Sequence, residues 1–178
     1  HEDVEGVYAG LRPLLHGEDE ATSKLSREHA VAHAAPGLVV VAGGKYTTYR
    51  VMAKDVVDEA VHALETQLDR RVAPCVTENV PLLGAEGYHA RWNQRHQLAS
   101  DHGLHVVRIE HLLGRYGSLV DEVLELVAER PDLGEPLGGA SDYLRAEVVY
   151  AVSHEGARHV DDVLTRRTRV SFEEFDRG

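Results

Sequence analysis

Leu38-Val39-Val40-Val41-Ala42-Gly43-Gly44-Lys45-Tyr46-Thr47-Thr48-Tyr49-Arg50 sets a continuous, β-branched apolar run against two glycines and a polar segment. A run of this kind, with no polar alternation, predicts a strand buried on both faces. Pro36-Gly37 supplies the turn that precedes it. Beyond the glycines, Met52, Val56, Ala60, Leu64 and Leu68 recur every four residues, so a helix of about 20 residues is expected to start near Thr47 and Thr48. The unit reads as strand, glycine turn, helix. Toward the start of the chain, Val7-Tyr8-Ala9 before a Gly-Leu-Arg-Pro turn and Ala30-Val31-Ala32 after a polar stretch read as further short strands.

Downstream the character changes. Residues 72–83 form a connector holding Pro74 and Pro81, and beyond it helical periodicity alone remains, broken by glycine or proline. Tyr88, Trp92 and Leu98-Ala99 outline one helix, and Val106, Ile109, Leu112 and Leu113 another that stops at Tyr116-Gly117. Ser118-Leu119-Val120-Asp121 fits a capping box ahead of Val120, Val123, Leu124 and Val127, a face ended by Pro131. Residues 132–140 read as a loop before a helix from Ser141 to about Glu155, with Gly156 as its stop. The fold class is therefore α+β, with an α/β part at residues 1–72 and an all-α part at 73–178. The chain opens His1-Glu2-Asp3-Val4 without methionine, and Ser171-Phe172-Glu173-Glu174 matches a capping box with few residues after it, so a piece of a longer polypeptide is expected.

Composition limits the function classes. Of 178 residues 43% are hydrophobic and 28% charged, the balance of a folded domain. With 30 acidic side chains against 19 basic ones the formal charge is -11, which repels nucleic-acid backbones and argues against a nucleic-acid partner. Apolar runs such as Leu38 to Ala42 fall far short of the roughly 18–20 residues of a membrane helix. The single cysteine, Cys75, has no partner for an intramolecular disulfide and fits a reducing, cytoplasmic setting.

Twelve histidines invite a metal reading, yet the spacings do not support one. His154 and His159 stand at i and i+5, about 140° apart on a helix and separated by Gly156. His29 and His33 share a strand face, and His102, His105 and His111 cluster, but no acidic or thiolate partner sits at ligand spacing. No Gly-x-Ser-x-Gly elbow occurs, and Cys75 has no nearby histidine. The chemistry concentrates instead at the glycine turn. Gly43 and Gly44 let a ligand approach the backbone, the helix start behind them offers unpaired N–H groups, and Lys45 adds an ammonium. Thr47 and Thr48 either cap the helix or bond a ligand; a plain tight turn is the structural alternative. Neither a Walker loop nor Gly-x-Gly-x-x-Gly is present, so a dinucleotide's pyrophosphate would be held elsewhere. Arg12, in Gly10-Leu11-Arg12-Pro13, suits a phosphate or carboxylate, or pairs structurally with an acid such as Glu2 or Asp3. Arg166-Arg167-Thr168-Arg169, close behind Asp161-Asp162, reads as a salt-bridged domain interface.

Several stretches together carry a resemblance: Tyr8 to Leu14, Ser26-Arg27-Glu28-His29, Gly37 to Arg50, Tyr143 to Val148, His154-Glu155-Gly156-Ala157 and Asp161-Asp162-Val163-Leu164-Thr165-Arg166-Arg167-Thr168-Arg169. The chain resembles the C-terminal part of the FAD-dependent glycerol-3-phosphate dehydrogenases. That resemblance implies an enzyme that oxidises sn-glycerol 3-phosphate to dihydroxyacetone phosphate, passing a hydride to FAD and electrons on to a quinone. It implies that Arg12 and Lys45 bind substrate and that Gly43, Gly44, Lys45, Tyr46, Thr47 and Thr48 bind the cofactor, with no catalytic residue assigned. It further implies that residues 1–72 are the edge of a flavin and substrate domain, that 73–178 form a helical cap, and that an N-terminal FAD domain completes the site. The piece alone is then inactive. A cytoplasmic location, peripheral on the inner face of the plasma membrane, and a homodimer are expected on the same ground. A glycerol-3-phosphate oxidase and a cofactor-free helical interaction module are the alternatives.

Overall fold

The computed structural model describes residue 7 and residues 9–11, 28–68 and 71–173. Arg12 lies outside them, as do Glu2, Asp3, Tyr8, Ser26, Arg27 and Glu174. The described residues form two compact units divided between Val80 and Pro81.

In the first unit, β1 (His29–Ala35) and β2 (Leu38–Gly43) make a two-stranded antiparallel hairpin about Pro36-Gly37. His29 stands opposite Gly43, Val31 opposite Val41 and His33 opposite Val39. The helix α1 (Tyr49–Leu68) packs on this hairpin, entered through a 3-10 turn at Tyr46–Thr48 rather than directly at the threonines. Met52, Val56 and Ala60 are half-buried on its face, whereas Leu64 is 49% exposed. The expectation that β2 is buried on both faces fails: Leu38, Val40 and Val41 are 50%, 39% and 40% exposed. An apolar run fixes extended backbone and an appetite for burial, but not what covers the second face. Residues 72–80 stay with this unit, because the Arg50 guanidinium donates to the carbonyls of Thr77 and Val80 and the amide of Val72 donates to Glu65 at 2.7 Å. Composition changes at 72/73, eight residues before the compact units part.

The second unit is helical. Its helices are α2 (Tyr88–Asn93), α3 (Arg95–His102), α4 (Val106–Tyr116), α5 (Val120–Glu129) and α6 (Arg145–Ser153), with the short α7 (Val160–Asp162) and α8 (Val170–Glu173) after them. Ile109, Leu112 and Leu113 of α4 meet Val120, Val123, Leu124 and Val127 of α5 in one core with Leu98, Leu144, Ala146 and Tyr150. The stretch from Tyr88 to Ala99 is two helices, broken at Gln94, where φ is -88° and ψ 0°. A 3-10 turn at Gly117–Leu119 leads into α5, and the Ser118 side chain makes no capping bond there.

A second hairpin was not expected. Residues 136–144 read as a loop and the start of a helix, but they form β3 (Pro136–Leu137) paired antiparallel with β4 (Ala140–Leu144). The helix begins at Arg145 because Glu147 accepts the Leu144 amide at 2.9 Å, which caps it four residues later than Ser141. Glu147 is wholly buried, and it also takes the Tyr116 hydroxyl and His111 Nε2, each at 3.1 Å. Arg115 Nε lies 3.3 Å away as an ion pair without hydrogen-bond geometry. Burial, and then the adjacent Glu147 charge, push the Tyr116 hydroxyl upward in pKa, so it stays protonated and donates.

Candidate functional site

The glycine turn is held open by its backbone. Gly43 and Gly44 both have φ of +80°, a conformation L side chains rarely adopt, and the Gly44 amide donates to the Glu28 carbonyl at 3.1 Å. A Cβ on Gly44 would lie 2.4 Å from Met52 Sδ and 3.3 Å from His29 Cβ, so strand β1 and the first turn of α1 both close on it. Above the turn is a cleft of about 550 Å³ lined by Leu11, Gly43, Gly44, Lys45, Tyr46, Thr47, Tyr49 and Met52.

The two threonines divide their work. The Thr48 hydroxyl accepts the Lys45 amide at 3.3 Å and donates to the Lys45 carbonyl at 3.0 Å, so its proton serves the turn. Thr47 is exposed and lines the cleft. Lys45 is exposed at the same rim, whereas the nearby Arg50 is turned away to the connector carbonyls. The cleft therefore combines a glycine floor, the positive end of a 20-residue helix and one ammonium group, but the expected free amides are largely taken: Gly44 donates to the Glu28 carbonyl, Lys45 to the Thr48 hydroxyl, Thr48 to the Lys45 carbonyl and Tyr49 to the Tyr46 carbonyl. That set suits a flat ligand carrying an electron-rich oxygen or a negative charge.

Of the residues singled out in the sequence, Gly43, Gly44, Lys45, Tyr46 and Thr47 come together at the cleft, Thr48 sits behind it, and Arg12 is outside the described residues. Leu11, Tyr49 and Met52 were missed. Tyr46 and Tyr49 stack with centroids 5.8 Å apart, a pairing signalled by their i, i+3 spacing. Met52 was assigned to the helix face alone, and its position four residues before Val56 concealed its second role beneath Gly44.

His29 and His33 do have acidic partners, across the fold. His29 Nε2 meets Asp55 at 2.8 Å and His33 Nε2 meets Glu59 at 2.7 Å, so α1 supplies acidic partners that β1 lacks in sequence. Each pair is a single rung. Among the described residues no three His, Cys, Asp or Glu side chains gather to hold a metal ion. His111 goes to Glu147, and His105 Nδ1 accepts the Val107 amide at 3.3 Å. Arg166 pairs within its own turn, with Asp161 at 2.8 Å and Asp162 at 3.1 Å, and Arg167 Nε holds the Glu155 carbonyl at 2.8 Å. Within the helical unit these contacts tie Arg166 to its own turn and Arg167 to the chain just past the end of α6. Among the described residues no helix is long and apolar enough to cross a membrane.

The family described as the C-terminal domain of alpha-glycerophosphate oxidase matches residues 75–178. The chain belongs to that family. Over its whole length it is 57% identical to glycerol-3-phosphate dehydrogenase of Mycobacterium leprae and 55% identical to glycerol-3-phosphate dehydrogenase 2 of Mycobacterium tuberculosis, covering 30% of each. It is 34% identical, over 98% of its length, to the mitochondrial glycerol-3-phosphate dehydrogenase of Arabidopsis thaliana, of which it covers 29%. The chain thus spans under a third of the length of these relatives. The glycine turn precedes the matched family region but lies within the stretch aligned with all three.

Proposed function

We propose that this chain is the C-terminal part of an FAD-dependent glycerol-3-phosphate dehydrogenase, oxidising sn-glycerol 3-phosphate to dihydroxyacetone phosphate and passing electrons to a quinone at the cytoplasmic face of a membrane. The observation that carries the reading is the cleft over Gly43-Gly44, open at the start of α1 with Lys45 at its rim, in a chain aligned end to end with proteins of that name. Residues and cofactor fit: the bare backbone of Gly43 and Gly44 borders the cleft, Gly43, Gly44, Lys45, Tyr46 and Thr47 form the edge that would hold a flat ring, and Thr48 braces the turn behind them. Bound FAD supplies the hydride acceptor. The positive end of the α1 dipole stabilises negative charge developing at the cleft, and Lys45, with Arg12, neutralises the substrate phosphate. With no Gly-x-Gly-x-x-Gly in the chain, the remaining flavin contacts come from an N-terminal FAD domain, and the chain alone does not turn over. The helical unit then serves as a cap or a homodimer contact.

The test is the visible spectrum of the full-length polypeptide before and after anaerobic addition of glycerol 3-phosphate. A flavin band that bleaches on addition is expected. A flavin that stays oxidised assigns the substrate elsewhere, and a colourless folded protein leaves a cofactor-free interaction module. Reoxidation by oxygen as fast as by a quinone analogue would make the enzyme an oxidase.

A further inference from the structure

His29 touches the candidate site without lining it, and Asp55 holds His29. His29 opens β1 directly opposite Gly43, the residue before it accepts the Gly44 amide, and its Cβ lies 3.3 Å from where a Gly44 side chain would begin. Its ring reaches Asp55 of α1, with Nε2 2.8 Å from Oδ2. One side chain therefore supports the turn with its stem and grips the helix that follows the turn with its ring. The two flanks of the turn, the end of β2 and the start of α1, are set at a fixed spacing by this link, with Met52 filling the space between them. A turn of two glycines has little stiffness of its own, so its shape is set by what frames it.

We propose that His29 and Asp55 are positioning residues that hold the Gly43-Gly44 turn in its ligand-accepting shape. This rests on the flavin reading above and adds to it a frame that neither composition nor spacing announces. The histidine side chain is 20% exposed and the aspartate 43%, so when His29 is removed the Asp55 carboxylate remains hydrated. The loss then falls on geometry more than on folding. The structure contains its own control. His33 and Glu59 repeat the contact at 2.7 Å, four residues further along both elements, opposite Val39 and away from the glycines, with both side chains nearly half exposed.

The experiment uses the full-length polypeptide, stripped of flavin and titrated with FAD, alongside its thermal midpoint and steady-state kinetics. His29→Ala is expected to weaken FAD binding about tenfold and to shift the visible spectrum, with kcat falling and KM for glycerol 3-phosphate unchanged. Asp55→Ala, approached from the helix side, should behave alike. His29→Gln, whose amide nitrogen can reach Asp55, should recover most of the affinity. His33→Ala should bind FAD as the unaltered protein does. The proposal is overturned if His29→Ala and Asp55→Ala bind FAD within twofold of the unaltered protein, or if His33→Ala weakens binding equally, which would make both rungs general fasteners of the hairpin. An unaltered protein that takes up no FAD would instead overturn the flavin reading itself.

Discussion

Replacing Glu147 with alanine should cost the helical unit about 3–5 kcal/mol, the range for breaking a buried ion pair from one side. The carboxylate is fully buried and serves four groups at once: it caps α6 through the Leu144 amide, accepts the Tyr116 hydroxyl and His111, and faces Arg115. Its loss leaves the Leu144 capping amide and the Tyr116 hydroxyl without partners in the core. Arg115 is 21% exposed and keeps its carbonyl partner at Arg167, which places the cost toward the lower end. Even about 3 kcal/mol lowers the midpoint of a unit of this size by roughly 12 °C or more. Trp92, the single tryptophan, packs against this core, so its fluorescence reports the transition of the helical unit. Glu147→Gln, whose single oxygen can keep the Leu144 cap while its NH2 replaces the oxygen that accepts from Tyr116, loses the charge and one acceptor and should cost about 1–3 kcal/mol. A Glu147→Ala midpoint within about 3 °C of the unaltered chain would show that the core closes over the vacancy and that the network is dispensable.

That network also marks where sequence reading ran out. Periodicity sufficed for α4 and α5, whose apolar faces are strong and whose ends are set by Gly117 and Pro131. It failed at 140–144, where Tyr143 and Leu144 look as helical as Leu144 and Val148 do. The deciding group there is a carboxylate three residues inside the helix, bonded to residues 31 and 36 positions earlier in the chain. Long-range polar contacts leave no local pattern. The partners of the basic run at 166–169 were hidden for a related reason. Arg166 meets the neighbouring aspartates and Arg167 a main-chain carbonyl, which no count of charges reveals. At the glycine turn, by contrast, strand, glycines and helix start are contiguous, so the cleft was legible, and only the members contributed across the fold, Met52 beneath Gly44 and His29 beside it, were hidden.

The largest expected effect on the site comes from Gly44→Ala. Two costs act together there. The backbone at φ +80° strains any L residue by about 1–3 kcal/mol, and the new Cβ meets Met52 Sδ at 2.4 Å and Met52 Cε at 2.8 Å. The methionine is unbranched and can swing aside, but it lines the cleft, so its displacement obstructs the space a flavin would use. Stability should therefore fall modestly while FAD affinity in the full-length protein falls about a hundredfold, the scale of an ångström's misplacement. Gly37→Ala separates the two costs. It has nearly the same backbone conformation, φ +77°, with nothing within 4 Å of the added Cβ, and it lies at the far end of the hairpin. It should lose similar stability and keep its flavin. Adding Met52→Ala to Gly44→Ala relieves the clash and leaves the strain, so the double variant should regain part of the affinity but not all of it. If Gly44→Ala instead retains one FAD per polypeptide through gel filtration, the glycines serve only to reverse the chain and the cleft above them is not where the flavin lies.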